Sequence, residues 1–283
     1  MTKHKIMAAL AAATLCLAAN ADDGSALWLG MEHRAHIEKI RSNDNSAVAK
    51  TAVQELTAYW HGGSVTLKKD GNMPDNDGFA IERPNKGGTT IIRAHRSAGL
   101  LYGAYELLRM QQTSGTTVEE RSEPAFEYRV LNHWDNPDGS VERGYAGKSI
   151  WKWDEINGVK GTMSIDLRER LTTYARANAS IGINGSVLNN VNASPSILTS
   201  EYIKKVKVIA DLLRPYGIKT YISVNFASPM VLDSLKTADP LNSEVKAWWK
   251  KKAKEIYKEI PDFGGFLVKA NSEGQPGPGD YNR

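Results

Sequence analysis

Apolar residues recur along this chain at two periods, and the change from one to the other divides it. From 46 to 59, Val48, Ala52, Leu56 and Tyr59 return every three to four residues, the stripe of an amphipathic helix. Residues 97–112 repeat the pattern with Leu100, Leu101, Ala104, Leu107 and Leu108, while Gly99 and Gly103 predict close packing against a neighbour. Between these helices, 65–67, 79–81 and 89–92 are short apolar or alternating runs bounded by turn residues, which predicts strands joined by hairpin-type turns. Residues 26–29 predict one more short strand.

Beyond the polar joint Arg121-Ser122-Glu123-Pro124 the rhythm becomes strand, long helix, strand. Strands are predicted at 128–131, 186–188, 220–224 and 265–268, with helices at 166–180, 200–214 and 243–259. Gly182, Pro215 and Pro261 follow the helices within a few residues, as helix stops require. Such alternation implies a parallel sheet built from βα units. The predicted class is α/β: a small N-terminal α/β domain over 22–123, then the first four βα units of a (β/α)8 TIM barrel over 124–283, truncated. An open doubly wound sheet is the alternative. A half barrel leaves unpaired strand edges, so the sequence reads as one part of a longer barrel.

Composition narrows the class. With 41% hydrophobic and 24% charged residues the chain is an ordinary globular one, neither disordered nor fibrous. Lys3 and Lys5 precede an uncharged run over 6–17 and the triplet Ala19-Asn20-Ala21, the pattern of a secretory signal peptide over 1–21, cleaved after Ala21. Removing it takes two lysines and lowers the formal charge from +4 to +2, which offers nothing for nucleic acid. The apolar run is too short for a membrane span. Cys16, the only cysteine, lies in that segment, so thiol catalysis, disulfides and cysteine metal sites fall away together. The six histidines show no paired ligand spacing, and neither metal nor cofactor is expected. The compartment is secreted or periplasmic.

Candidate chemistry gathers where the predicted strands end. Phe266-Leu267-Val268 runs into Lys269, Asn271 and Glu273 and then a Gly-Pro-rich stretch that forbids further strand or helix. The earlier strands end in Asn132-His133-Trp134-Asp135-Asn136, in Asn189-Asn190-Val191-Asn192 and in Asn225-Phe226. Amides bond hydroxyl groups in both directions and an indole face packs on the C–H side of a pyranose, so the set predicts a sugar site. Taken alone, asparagine clusters also serve as turn caps, and Lys269 with Glu273 also makes a plain ion pair. A cation aimed at the substrate suits a sugar carboxylate, hence a uronic acid. Trp151 and Trp153 fit barrel packing and sugar contact equally well.

Four stretches together resemble glycoside hydrolase family 67, the xylan α-glucuronidases. They are Asn132-His133-Trp134-Asp135-Asn136, Val141 through Trp151 with its Glu-Arg-Gly-Tyr-Ala-Gly core, Gly182 through Ala193, and Gly264 through Pro278 with Lys269 and Glu273. Arg214-Pro215-Tyr216-Gly217 and Ala238-Asp239-Pro240-Leu241 extend the resemblance towards Arg283. It implies an inverting hydrolase that removes 4-O-methyl-glucuronic acid, α-1,2-linked to the terminal xylose of xylo-oligosaccharides, and a homodimer of the full-length protein. By position Glu273 matches the general acid, Lys269 a ligand of the uronate carboxylate, Trp134 a residue packed on the glucuronate and Val191 one near its methyl group; Asn189 and Asn190 join them as candidate substrate contacts. The resemblance places the catalytic base on later barrel strands, so the 283 residues alone are expected not to turn over. Asp135, Asp138 and Glu142 match no base position. A non-catalytic exported glycan-binding protein, or a glycosidase for another uronic acid linkage, is the competing reading.

Overall fold

The computed structural model describes residues 27–33, 39–84, 87–113, 118–192 and 194–268. The chain divides into a short unit, Met1–His33, and a large one, Arg34–Arg283. In the short unit Leu27–Leu29 forms a single 3-10 turn with Leu29 buried, not the expected strand. A strand needs a ladder partner, and these residues make none with any described strand.

The large unit opens with a five-stranded sheet of β1 (Ile40–Ser42), β2 (Val65–Lys69), β3 (Phe79–Glu82), β4 (Thr90–Ala94) and β5 (Glu119–Ser122), in the order β1-β2-β4-β3-β5. The expected hairpin-type joints hold only in part. β3 pairs antiparallel with β4, but β4 lies between β2 and β3 and runs parallel to β2. The return path for that parallel pairing passes through β3 itself, so no tight turn links β2 to its neighbour.

Two helices pack beside this sheet, α1 (Ala47–Tyr59) and α2 (Ser97–Gln112). Ser46 caps α1, its hydroxyl accepting from the Ala49 amide at 3.2 Å. Gly99 and Gly103 fulfil their predicted role. A Cβ on Gly99 would stand 2.3 Å from the Gly78 carbonyl oxygen and one on Gly103 2.5 Å from Ile92 Cγ2, so only glycine lets α2 come this close.

The second sheet is entirely parallel. β6 (Val130–Asn132) and, after the small β7–β8 hairpin (Ile156–Asn157, Thr162–Met163), β9 (Gly185–Val187), β10 (Lys219–Val224) and β11 (Gly265–Val268) stand side by side in chain order. Between them run α3 (Ile165–Ser180), α4 (Ser200–Leu213), a short α5 (Ser228–Asp233) and α6 (Ser243–Glu259). Ser164, Thr199 and Asn242 cap α3, α4 and α6 through their side chains, so each long helix starts where a local acceptor satisfies its first amides.

The strand registers sort residues by face. Ser186, Leu188, Ile222, Val224 and Phe266 turn to the helices, where Leu167, Leu171, Ile203, Val206 and Ile209 complete the core. Asn132, Val187, Asn189, Tyr221, Ser223 and Leu267 alternate onto the opposite face. β11 is less buried than its apolar run predicts: Phe266 and Leu267 are half-buried and Val268 is 49% exposed, because β11 is the outer strand of the described sheet. Among the described residues no helix is long and apolar enough to cross a membrane.

Candidate functional site at the carboxyl end of the parallel sheet

Because all four strands are parallel, the segments that follow them emerge at one end. The 132–136, 188–192 and 225 segments therefore meet there, as the sequence predicts. Lys269 and Glu273, expected to complete the site from β11, lie outside the described residues.

The segment after β6 is held at nearly every residue. The His133 amide continues the ladder to the Val187 carbonyl at 3.1 Å, the Trp134 carbonyl accepts from the Glu142 amide at 2.8 Å, and the Asp135 carbonyl accepts from the Asn190 amide at 2.7 Å. Buried Asp135 also accepts from the Ile150 amide at 3.0 Å and forms an antiparallel bridge with Val141. Trp134, by contrast, leaves its side chain 38% exposed. A large apolar ring thus stands partly open to solvent on a tightly held backbone.

His133 turns the other way. Its Nε2 lies 2.8 Å from the Tyr174 hydroxyl, which lies 2.9 Å from the Ser186 hydroxyl on β9. Its ring stands edge-on to Trp151 at 5.1 Å, and Nδ1 is 3.7 Å from the Asp135 carboxylate. Burial pushes the His133 pKa below the ordinary value, with Asp135 opposing, and burial pushes Tyr174 up to about 12. Both groups are therefore neutral near pH 7. Trp151 and Trp153 belong to the core behind them and are buried, which settles both as packing residues.

Asn189 and Asn190 are buried, and their amides are already engaged. Asn189 accepts from the Ser223 amide at 2.9 Å and donates to the Ser223 carbonyl at 3.1 Å, tying β9 to β10. Asn190 accepts from the Asn192 amide at 2.9 Å and donates to the Glu142 carbonyl at 3.4 Å, where Asn136 also donates at 2.8 Å. These two asparagines therefore shape the end of the sheet through backbone, a use that competes with the substrate contacts expected of them. Val191 is half-buried beside them.

Asp138 is spent on the Ser140 amide and hydroxyl, at 2.9 and 2.7 Å, which hold its carboxyl below the usual range. Ser223, on the face away from the helices, keeps a buried hydroxyl with no partner among the described residues. Tyr174, Ser186 and Ser223 were not picked out by sequence reasoning, because a lone Tyr inside a helix or a Ser inside a strand carries no spacing signal. No group of His, Cys, Asp and Glu suited to a metal occurs among the described residues. Two open clefts of about 560 and 590 Å³ lie elsewhere, one between residues 154–159 and the start of α4, one between residues 234–236 and α6.

Comparison with known proteins places this arrangement. The chain is 47% identical over 241 residues to the probable alpha-glucuronidase A of Aspergillus clavatus, a match covering 84% of this chain and 27% of that protein. It is 38% identical over 320 residues to the alpha-glucuronidase A of Emericella nidulans, covering 97% of this chain and 37% of that one. The chain thus spans about a quarter to a third of the length of these relatives. Among solved structures, a GH138 enzyme targeting pectin rhamnogalacturonan II superposes with a TM-score of 0.56 over 82% of this chain and 30% of its own, at 16% identity, a likeness of fold alone. Residues 108–283 match the glycosyl hydrolase family 67 middle domain, and the chain belongs to that family.

Proposed function

We propose that this chain is the acid-bearing part of an α-glucuronidase that hydrolyses, with inversion, the α-1,2 bond between (4-O-methyl-)glucuronic acid and the terminal xylose of xylo-oligosaccharides derived from glucuronoxylan. The observation that carries the reading is the family 67 match running through the strand ends of a sequential parallel sheet. The same reading takes residues 22–123 as an accessory α/β domain, 124–283 as the first four βα units of a (β/α)8 barrel, 1–21 as an export signal and the full-length protein as a homodimer.

Glu273 donates the proton to the leaving xylose oxygen, and Lys269 neutralises the uronate carboxylate. Trp134 packs against the sugar ring and Val191 borders the methyl group. Inversion requires a second carboxylate roughly 6.5–9.5 Å from the acid, to activate water on the opposite face of the sugar. Asp135 and Asp138 match no base position of the family, and each already spends its Oδ1 locally, on the Ile150 amide and on Ser140. Asn189 and Asn190 support the site by fixing the Ser223 and Glu142 backbone.

The test is release of 4-O-methyl-glucuronic acid from aldouronic acid oligosaccharides by the full-length gene product and its Glu273→Ala variant. Loss of general-acid assistance is expected to lower kcat by about 10²–10⁴-fold, with a smaller deficit on a substrate whose leaving group needs no proton. Glycan binding without turnover by the unaltered full-length protein would move the reading to a binding protein. Unchanged activity in the variant would place the acid elsewhere.

A further inference from the structure

The loop that carries Trp134 is tied to the interior by a chain of side chains that no catalytic role requires. Ser186 on β9, Tyr174 on α3 and His133 follow one another at 2.9 and 2.8 Å, and His133 Nδ1 faces the Asp135 carboxylate at 3.7 Å. One hydrogen arrangement suits all four groups. A lone pair on Nδ1 would be repelled by the carboxylate, so Nδ1 carries the hydrogen and Nε2 accepts from Tyr174, whose oxygen in turn accepts from Ser186. The chain therefore begins on a central strand and ends on the two residues that flank Trp134. Trp151, edge-on to both His133 and Tyr174 at 5.1 and 5.5 Å, fills the space around them.

We propose that His133 and Tyr174 are positioning residues, which fix the Trp134 ring by holding its two sequence neighbours against β9. Neither touches the sugar. Two neutral hydrogen bonds and a ring contact do what a rigid strand would otherwise do, at the point where the strand has ended and the chain must present a large side chain outward. Removing the Tyr174 hydroxyl leaves the His133 Nε2 and Ser186 Oγ without their partner; the backbone bonds of the loop remain, and the Trp134 ring loses the side-chain restraint that narrows its orientation. The inference rests on the reading of Trp134 as the sugar platform only for its functional consequence; the mechanical coupling stands apart from it.

The experiment uses the full-length gene product labelled with 5-fluorotryptophan, the Trp134 resonance being identified by its loss in Trp134→Phe. In Tyr174→Phe that resonance is expected to shift or broaden. KM for aldouronic acid oligosaccharides is expected to rise about five-fold with kcat nearly unchanged, the scale of one neutral hydrogen bond. In a Trp134→Ala background Tyr174→Phe is expected to add nothing further to KM. An unmoved Trp134 resonance, or a KM effect that adds in full to that of Trp134→Ala, overturns the proposal. A moved resonance with Trp134→Ala leaving KM unchanged upholds the coupling and removes the sugar platform instead. Should Tyr174→Phe fail to fold, Ser186→Ala cuts the same chain at its far end and is read in the same way.

Discussion

Glu142 sits with φ at +57°, in the left-handed region where a side chain is strained. Its carbonyl accepts from Asn136 and Asn190 and its amide donates to Trp134, so three contacts over-determine the conformation. Glu142→Gly is therefore expected to be about 1 kcal/mol more stable than Glu142→Ala, read by urea unfolding, because both lose the same side-chain contacts and only alanine keeps the backbone penalty. Equal stabilities would mean that the left-handed backbone at residue 142 carries no penalty. A second prediction concerns His133, whose neighbours are Asp135 on its own loop, Tyr174 on α3 and Trp151. Its pKa in the folded protein lies below the ordinary 6.5 because it is buried. Below about pH 6.5 the unfolded chain takes up the proton first, so this contribution is whole at pH 7.5 and drains away as the pH falls through the folded value. Stability measured at pH 7.5 and 5 should fall more steeply in the unaltered protein than in His133→Gln. At this scale Trp134, Asn189 and Asn190 were visible as residue types after a predicted strand. That both amides would also bond backbone was not, since the sequence names a donor and never its acceptor.

The elements divide by what each leaves in the sequence. α1, α2, α3, α4 and α6 each bury an apolar stripe, and the strands β2, β3, β4, β6, β9, β10 and β11 each include or adjoin a short apolar or alternating run, so all were legible within a few residues. Four strands leave no such mark: β7 and β8, at two residues each, are too short for any pattern, and β1 (Ile-Arg-Ser) and β5 (Glu-Glu-Arg-Ser) are the two edges of the five-stranded sheet. An edge strand is defined by the backbone it pairs with, and charged residues there deter pairing with other chains, so no alternation marks it. Short α5 likewise buries too little to show a period, with Ser228 and Pro229 its buried residues. Glycine in or just before a strand also marks a close approach. A Cβ on Gly264 would stand 2.4 Å from the Tyr221 ring, and one on Gly185 2.7 Å from the same ring. Gly264→Ala is expected to cost about 1–3 kcal/mol through that clash. Combined with Tyr221→Ala, which removes the ring, the glycine substitution should cost almost nothing more. Full additivity in that double-mutant cycle would show that the ring is not what demands glycine.

Across the large unit the five-stranded and four-stranded sheets are joined by buried charge. Glu55 on α1 and Arg176 on α3 meet through two bonds of 2.8 Å, with Glu55 only 7% exposed and Tyr59 beneath the guanidinium at 5.0 Å. Asp77, before β3, takes Arg129 at 2.7 Å and Asn184 at 3.3 Å from the two strands' approaches in the second sheet. Burial works to lower the Arg176 pKa, but its hydrogen bonds and charge contact with Glu55 outweigh it and raise the value, so the guanidinium stays charged. None of this was legible beforehand: Arg121 to Pro124 reads as a joint between domains, and a sequence does not say which acidic residue 121 positions away an arginine will find. The consequence is mechanical. If residues 22–123 and 124–283 are separate domains, their junction is nonetheless built from desolvated ion pairs rather than a wet interface, and the two should unfold together. A single calorimetric transition is expected. Glu55→Ala, which strands a buried guanidinium, should lower stability by about 3–5 kcal/mol, whereas Glu55→Met combined with Arg176→Met should recover most of it, because the cost lies in the unpaired charge more than in the lost pair. Two resolved transitions in the unaltered protein would mean that the junction does not couple the sheets, and that the site end of the parallel sheet is held up without help from the first 123 residues.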